Sequence, residues 1–276
     1  MMMKKIFPLM VASLLAGCVT GLKPTAPRNA AVPPAKVDRV WAEKMTRPEI
    51  STEGLKYRIY IPHDIGYFEK VPLVLFLHGA GERGEDNAVQ LVHGVPQLIS
   101  YSMRKNEKAI IVAPQCPEKL RWFETPWGEL EHPTAVRPSV TMAKVIALLK
   151  KMLADYPVDR SRVYVTGLSM GGYGTWDLAA RHPELFAAAL PVCGGGDVAQ
   201  APRLAKVPLW TVHGDKDGAV PVENSRRMVK AVNAAGGKAI YEELSGQGHG
   251  VWGYAYGSDK ILDWFFSRRR CAKLCK

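Results

Sequence analysis

Residues 163–172 read VYVTGLSMGG, and they carry the strongest structural signal in the sequence. The first three residues are apolar and prone to extended structure, which predicts a short strand over 163–165. A glycine-rich turn follows, and the pattern of residues 171–181 predicts a helix. The helix should end at His182-Pro183, because proline cannot continue it.

The turn over 167–171 has the pattern Gly-X-Ser-X-Gly, with Ser169 at its centre. In a strand–turn–helix of this kind the serine is strained and exposed, so its neighbours two positions away must be small. Gly167 and Gly171 meet that requirement. The helix that follows offers backbone N–H groups and the positive end of its dipole to an oxyanion. The pattern predicts that Ser169 is a nucleophile; the alternative is a turn that only packs a helix against a strand.

A serine nucleophile needs a base and an acid, and in this arrangement they follow it along the chain in the order acid, then histidine. His249 lies between two glycines on the loop after the predicted strand 239–244, so it is the predicted base. Asp215 and Asp217 follow the predicted strand 208–212, and both are candidates for the acid. The other histidines lack such context, and we expect His213 to be structural.

The segment VPLVLFL (71–77) is almost wholly apolar, as a central parallel strand should be. It runs into His78-Gly79-Ala80-Gly81, where the glycines allow a close approach of the backbone to a substrate. We therefore predict an oxyanion hole formed by the backbone N–H groups of Ala80 and Met170, with Gly81 as a substitute for Ala80. His78 is expected to hold this loop.

The segment 117–138 lies between a predicted strand and a predicted helix and has little periodicity. It carries Trp122, Phe123 and Trp127, and two interpretations stay open. Trp122 and Trp127 line a substrate pocket near the nucleophile, or the aromatic side chains close a satellite core. The charged loop 82–87 is expected to brace itself through ion pairs. No metal site and no cofactor are predicted.

The rest of the chain alternates strand and helix signals in the same way. Repeated strand–helix units predict an α/β fold with a mostly parallel central sheet and helices on both faces. The further predicted strands cover 57–61, 109–113 and 187–192, and the further predicted helices cover 88–103, 140–153, 222–235 and 254–266.

The first residues have the features of a bacterial export signal. Lys4 and Lys5 precede an apolar run over 6–15, which is too short to span a bilayer. The run ends in Leu15-Ala16-Gly17-Cys18, which resembles a lipoprotein lipobox and predicts a lipid on Cys18. Val19 then suggests the outer membrane. The alternative is an ordinary secretory signal.

These signals divide the chain into four predicted segments. They are a signal peptide (1–17), a lipidated cysteine with a proline-rich tether (18–38), one hydrolase domain (39–267) and a basic tail (268–276). The net charge of +11 owes seven units to the leader and the tail, which leaves four for the rest of the chain. Without a basic stripe, we predict no nucleic-acid partner. Cys116 and Cys193 are expected to be buried thiols, and a Cys271–Cys275 disulfide stays open.

Taken together, residues 55–266 resemble bacterial esterases and predicted peptidases of the α/β-hydrolase superfamily, including feruloyl-esterase-like and polyhydroxybutyrate-depolymerase-like enzymes. The matching stretches are FLHGAGERGEDN (76–87), VAPQCP (112–117), VYVTGLSMGGYGTWDLAARHPELFAAALPVCGGGD (163–197) and HGDKDGAVP (213–221). The last resembles the esterase pattern HG-x-x-D-x-x-V-P. In that pattern Asp217 is the acid and Asp215 is a variable position that helps form the turn.

The resemblance implies an α/β-hydrolase fold and hydrolysis of carboxylic esters through an acyl-enzyme on Ser169. The expected substrate is a small-molecule or polysaccharide-linked ester. Two alternatives stay open, a serine peptidase with the same triad and a non-catalytic binding lipoprotein.

Overall fold

The computed structural model describes residues 38–270. The predicted signal peptide, the lipid site at Cys18, nearly all of the tether, and Cys271 and Cys275 lie outside this range. One sheet of eight strands runs through the centre, in the order β1-β2-β4-β3-β5-β6-β7-β8. The strands are β1 (Arg47–Ile50), β2 (Lys56–Tyr60), β3 (Val71–Leu77), β4 (Ile110–Pro114), β5 (Val158–Leu168), β6 (Ala188–Val192), β7 (Trp210–Gly214) and β8 (Ile240–Leu244).

The pairings of β1 with β2 and of β2 with β4 are antiparallel, and all the others are parallel. The helices are α1 (Arg39–Met45), α2 (Val95–Lys105), α3 (Val140–Asp155), α4 (Met170–Arg181), α5 (Ala201–Leu204), α6 (Glu223–Ala234), α7 (Trp252–Gly257) and α8 (Asp259–Ser267). Within 38–270, no helix is long and apolar enough to cross a membrane.

The core consists of two apolar clusters, one on each face of the sheet. Alternate side chains of β3 show the division, since Leu73 and Leu75 pack in one cluster while Val74 and Phe76 pack in the other. The first cluster takes the apolar sides of α3, α4 and α6, and the second takes those of α1, α2, α7 and α8. The prediction of an α/β fold with helices on both faces is confirmed.

Two predicted helices are each divided in the structure. The segment 88–103 contains a short 3-10 turn, Val89–Leu91, before α2 begins. The break falls at Gly94, where φ is 75° and a Cβ would overlap the ring of Phe76. The segment 254–266 is divided between α7 and α8 at Ser258, whose hydroxyl caps the N-terminus of α8. Strand β5 is longer than the predicted strand 163–165 and has 11 residues.

The N-terminus of α4 packs closely against the ends of strands β3 and β6. A Cβ on Gly171 would overlap the carbonyl group of Leu77 at the end of β3, and a Cβ on Gly172 would lie 2.5 Å from the carbonyl oxygen of Val192 at the end of β6. Only glycine permits this approach, so the position of the helix depends on these two residues.

The side chain of His78 ties the loop after β3 to the end of β4. Its Nε2 accepts a hydrogen bond from the backbone N–H of Cys116 at 2.9 Å, so its proton lies on Nδ1, 2.6 Å from the carbonyl oxygen of Gly79. Burial lowers the pKa of His78 to about 4. As expected from the sequence, this histidine holds the loop.

We expect Gly171→Ala to destabilise the protein by about 3 kcal/mol or more, because the added methyl group meets backbone atoms that cannot move aside. Gly253→Ala, in α7, is the matched control because nothing lies within 4 Å of its added Cβ. Chemical denaturation of the two variants and the wild type measures the difference. Equal stability of the two variants would contradict the close packing of α4.

We expect His78 to make stability depend on pH in a defined window. The pKa of His78 is lower in the folded protein than in the unfolded protein, so the ring takes up a proton when the protein unfolds. The free energy of unfolding therefore falls as the pH drops below about 6.5. The loss from this residue reaches about 3 kcal/mol near pH 4 and grows no further below that. Urea denaturation at several pH values measures it. His78→Gln should lose this part of the dependence, whereas His63→Gln, on an exposed loop, should keep it.

Candidate active site

Ser169 lies in the sharp turn between β5 and α4. Its φ is 53° and its ψ is −119°, a conformation that a residue other than glycine rarely adopts. The backbone N–H of Ser169 donates to the carbonyl oxygen of Val192 at 2.9 Å, which fixes the turn to the neighbouring strand. The serine side chain therefore stands at the carboxyl edge of the sheet, at the N-terminus of α4.

The structure brings Ser169, His249 and Asp217 together from three separate loops. His249 Nε2 lies 2.8 Å from Ser169 Oγ, and His249 Nδ1 lies 2.7 Å from Asp217 Oδ2. Because a carboxylate only accepts hydrogen bonds, the proton of the neutral ring is on Nδ1 and Nε2 is free to accept the serine proton. The side chain of Asp217 is completely buried, and that of His249 is 25% exposed.

Four donors surround the carboxylate of Asp217. Oδ1 accepts from the backbone N–H groups of Ala219 and Val220, each at 2.8 Å, and Oδ2 is in contact with the rings of His249 and His213. Burial by itself would raise the pKa of Asp217, but these hydrogen bonds outweigh it and hold the pKa well below its usual range. The carboxylate of Asp217 is therefore charged in the folded protein at neutral pH.

Asp215 has a different role from Asp217. Its Oδ1 accepts the backbone N–H of Gly246 at 2.6 Å, which ties the loop after β7 to the loop that carries His249. This agrees with the expectation that Asp215 helps form a turn.

Sequence reasoning missed two neighbours of the triad. The ring of Trp252 packs edge-on against the ring of His249, with centroids 5.4 Å apart. The sequence predicts a purely structural His213, but its Nε2 lies 3.1 Å from Asp217 Oδ2. Two features of the sequence could have identified them: Trp252 is an aromatic residue three positions after the predicted base, and His213 is a histidine four positions before the predicted acid.

The predicted oxyanion loop lies directly against the nucleophile. A Cβ on Gly79 would be 3.6 Å from the Cβ of Ser169, so the chain at 79–81 passes beside the serine. Met170 follows the serine directly and is the first residue of α4. The roles of the Ala80 and Met170 N–H groups, and of Gly81 as a substitute, stay predictions.

The two tryptophans of the segment 117–138 differ in their surroundings. Trp122 is completely buried, and its indole N–H donates to the carbonyl oxygen of His78 at 2.9 Å. It has no surface to offer a substrate, so the interpretation of Trp122 as a substrate-binding residue is corrected to a core role. Trp127 is half-buried beside a small cluster that contains Phe123 and Tyr173. Its role in substrate binding stays a prediction.

A buried cysteine lies beneath the triad. The sulfur of Cys193 and one ligand atom each of Asp217 and His249 lie within 4.8 Å of one another. Burial raises the pKa of the Cys193 thiol, which therefore keeps its proton in the resting protein. Both Cys116 and Cys193 are free and buried, as expected.

The charged loop 82–87 is held by hydrogen bonds to its side chains and by an ion pair to β2, so the expectation that it braces itself through ion pairs is confirmed only in part. Asp86 Oδ1 accepts the backbone N–H groups of Ala88 and Val89, and Lys56 pairs with Glu85 at 3.1 Å. Glu82 is the exception, because it turns inward and burial raises its pKa.

Comparison with known proteins identifies one matching family and several relatives. The model of the family described as "Esterase PHB depolymerase" matches residues 55–201. The poly(3-hydroxyalkanoate) depolymerase C of Paucimonas lemoignei is 48% identical over 48 residues, which are 17% of this chain and 12% of the depolymerase. An uncharacterized secreted protein of Arthroderma benhamiae is 23% identical over 227 residues, 71% of this chain and 23% of that protein.

Among solved structures, the crystal structure of a thermostable esterase matches with a TM-score of 0.72 and 36% identity. The match covers 82% of this chain and 63% of the esterase, so the chain spans less than two thirds of each of these three relatives. The family match covers more than half of the chain and includes the Ser169 turn. The chain therefore belongs to the esterase PHB depolymerase family and has the α/β-hydrolase fold.

Proposed function

We propose that the protein is a serine hydrolase that cleaves carboxylic esters through an acyl-enzyme on Ser169. The observation that carries the proposal is the unbroken series of contacts from Ser169 Oγ through His249 to Asp217, at 2.8 and 2.7 Å. A serine, a histidine and a buried carboxylate in this geometry are the arrangement that activates a hydroxyl group for attack.

In the first half of the reaction, His249 Nε2 takes the proton of Ser169 as Oγ attacks the ester carbonyl carbon. The carbonyl oxygen becomes an oxyanion, for which the backbone N–H groups of Ala80 and Met170 are the proposed donors. Asp217 stabilises the imidazolium that forms. The tetrahedral intermediate collapses, the bond to the alcohol breaks, and His249 gives its proton to the departing oxygen.

In the second half, a water molecule takes the place of the alcohol. His249 removes a proton from the water, the hydroxide attacks the acyl carbon, and the bond to Ser169 Oγ breaks as His249 returns the proton to the serine. The carboxylic acid leaves and the resting state is restored. A quarter of the His249 side chain is exposed to solvent, so the ring is not sealed off from water.

The relatives support the ester rather than the amide as the bond that is cleaved. The matched family and the thermostable esterase are named for esterase activity, and the Paucimonas relative is named as a poly(3-hydroxyalkanoate) depolymerase. We propose small-molecule or polysaccharide-linked esters as substrates. A serine peptidase and a non-catalytic binding protein are outcomes that the next experiment separates.

We expect Ser169→Ala to reduce hydrolysis of p-nitrophenyl acetate by at least about a thousandfold, because the acyl-enzyme cannot form. Ser245→Ala, on an exposed loop, is the matched control and should keep the wild-type rate. A fluorophosphonate probe should label the wild type and the control on Ser169, and should not label Ser169→Ala. Full activity of Ser169→Ala would refute the mechanism. Labelling with cleavage of peptidyl substrates alone would indicate a peptidase, and no labelling of folded wild type would indicate a binding protein.

We also propose that the protein is exported and held on the outer membrane of a bacterial cell envelope by a lipid on Cys18. The leader over 1–17 and the cysteine that follows it support this, and the relative from Arthroderma benhamiae is described as secreted. A single diacylglycerol-type anchor on a tether would leave the folded domain free to meet its substrate.

We expect Cys18→Ala to move the protein from the membrane fraction to the soluble fraction and to abolish metabolic labelling with palmitate, because the acceptor thiol is missing. Cys271→Ala removes a cysteine outside the lipobox and should leave both properties unchanged. Fractionation and labelling of cells that express each variant measure the outcome. Membrane retention of Cys18→Ala would count against lipidation.

A further inference from the structure

His213 is a completely buried histidine on β7 that contacts the acid of the proposed triad. Its Nε2 lies 3.1 Å from Asp217 Oδ2 and 3.1 Å from the carbonyl oxygen of Val220. Asp217 Oδ2 is the same oxygen that His249 Nδ1 contacts at 2.7 Å. One carboxylate oxygen is therefore shared by two imidazole rings.

The neighbours of each ring nitrogen determine where the protons of His213 lie. Both partners of Nε2 are acceptors, so Nε2 carries a proton. Nδ1 lies 2.7 Å from Ser225 Oγ, which also lies 3.0 Å from the carbonyl oxygen of Gly194. If the hydroxyl donates to Gly194, Nδ1 also carries a proton and the ring is charged; if it donates to Nδ1, the ring is neutral. Asp217 receives the Nε2–H in both cases.

This donation has two physical consequences for Asp217. Both oxygens of the carboxylate are held by hydrogen bonds, because Oδ1 accepts from the backbone N–H groups of Ala219 and Val220 while Oδ2 accepts from the two rings. Its rotation is therefore fixed with Oδ2 towards His249. The second donor also draws negative charge from Oδ2, so less of it acts on His249.

The other titratable groups near this pair come from three neighbouring elements. Cys193 follows β6, Tyr173 lies on α4, and Glu243 lies on β8. Burial raises the pKa values of Cys193 and Tyr173, so both are neutral, and Glu243 is paired with Arg226 at 2.6 Å. None of them contacts Asp217 Oδ2 with a hydrogen bond among the described residues, so His213 is the group beside His249 that sets the charge on this oxygen.

We propose that His213 is a positioning residue of the active site, which donates its Nε2–H to Asp217 Oδ2, holds the carboxylate against His249 Nδ1–H and reduces the basicity of His249. This inference rests on the proposed function, since the basicity of His249 matters only if it is the base for Ser169. It changes the expectation that His213 only supports the fold.

The test compares two substitutions of His213 with a matched control. His213→Leu removes the donor, and His213→Gln restores an N–H near the position of Nε2. Thr211→Val removes a buried hydroxyl two residues earlier on the same side of β7, where it bonds Pro191 instead of Asp217. The measurements are kcat, KM and the pH dependence of kcat/KM for p-nitrophenyl acetate, together with thermal unfolding.

We expect His213→Leu to lower kcat about tenfold with KM changed less than about twofold. Without the second donor, Asp217 stabilises protonated His249 more strongly, so His249 loses its proton at higher pH. The acid limb of the kcat/KM profile should therefore move up by about half to one pH unit. His213→Gln should recover most of both effects, and Thr211→Val should lower stability without moving the limb. A limb that stays in place in a folded His213→Leu protein would overturn the proposal.

A second measurement does not depend on activity. With ¹⁵N-labelled histidine, NMR of the resting protein should show Nε2 of His213 as a protonated nitrogen whose hydrogen exchanges slowly with water; His213→Gln identifies the signal. An unprotonated Nε2 would overturn the inference even if His213→Leu failed to fold. If the wild type hydrolysed no ester while Nε2 was protonated, the proposed function would fail but the hydrogen bond would stand.

Discussion

The backbone of Ser169 turns through φ 53° between the end of β5 and the start of α4, and the rest of the site depends on this turn. Such a conformation costs about 1–3 kcal/mol in a residue other than glycine, so the surroundings must hold it. The hydrogen bond from Ser169 N–H to the carbonyl oxygen of Val192 holds the turn to β6, and the close packing of Gly171 against Leu77 holds it to β3. Strain at one residue is thus offset by the packing of a whole helix.

The parallel arrangement of β5, β7 and β8 explains why three distant side chains meet. Their carboxyl ends lie at one edge of the sheet, and the loops that leave them carry Ser169, Asp217 and His249. The fold brings the loops together, but the protonation states come from local donors. A buried carboxylate would by itself take up a proton, and it is the donors around Asp217 that keep it charged.

The features that sequence predicted well are those encoded within a few residues. The Ser169 turn needs only a strand, two glycines and a helix, and β3 is marked by its unbroken apolar run. The features that it missed depend on contacts between distant segments. Gly94, where the helix breaks, packs against the ring of Phe76, and the buried Trp122 donates to the carbonyl oxygen of His78. Neither contact has a signature in the local pattern.

The segment 213–221 explains why the acid could be identified and its second partner could not. His213, Asp217 and the N–H groups of residues 219 and 220 all belong to this one segment, so the segment forms most of the carboxylate's surroundings by itself and recurs as a pattern. The two aspartates then act on the base in different ways. Asp217 bonds the ring of His249, while Asp215 bonds Gly246 three residues before it. The backbone of Asp215 also donates to Leu244, at the end of β8. These contacts hold the loop before His249 against the loop that carries the acid, so they add to the pairing of β7 with β8 in setting the distance between base and acid.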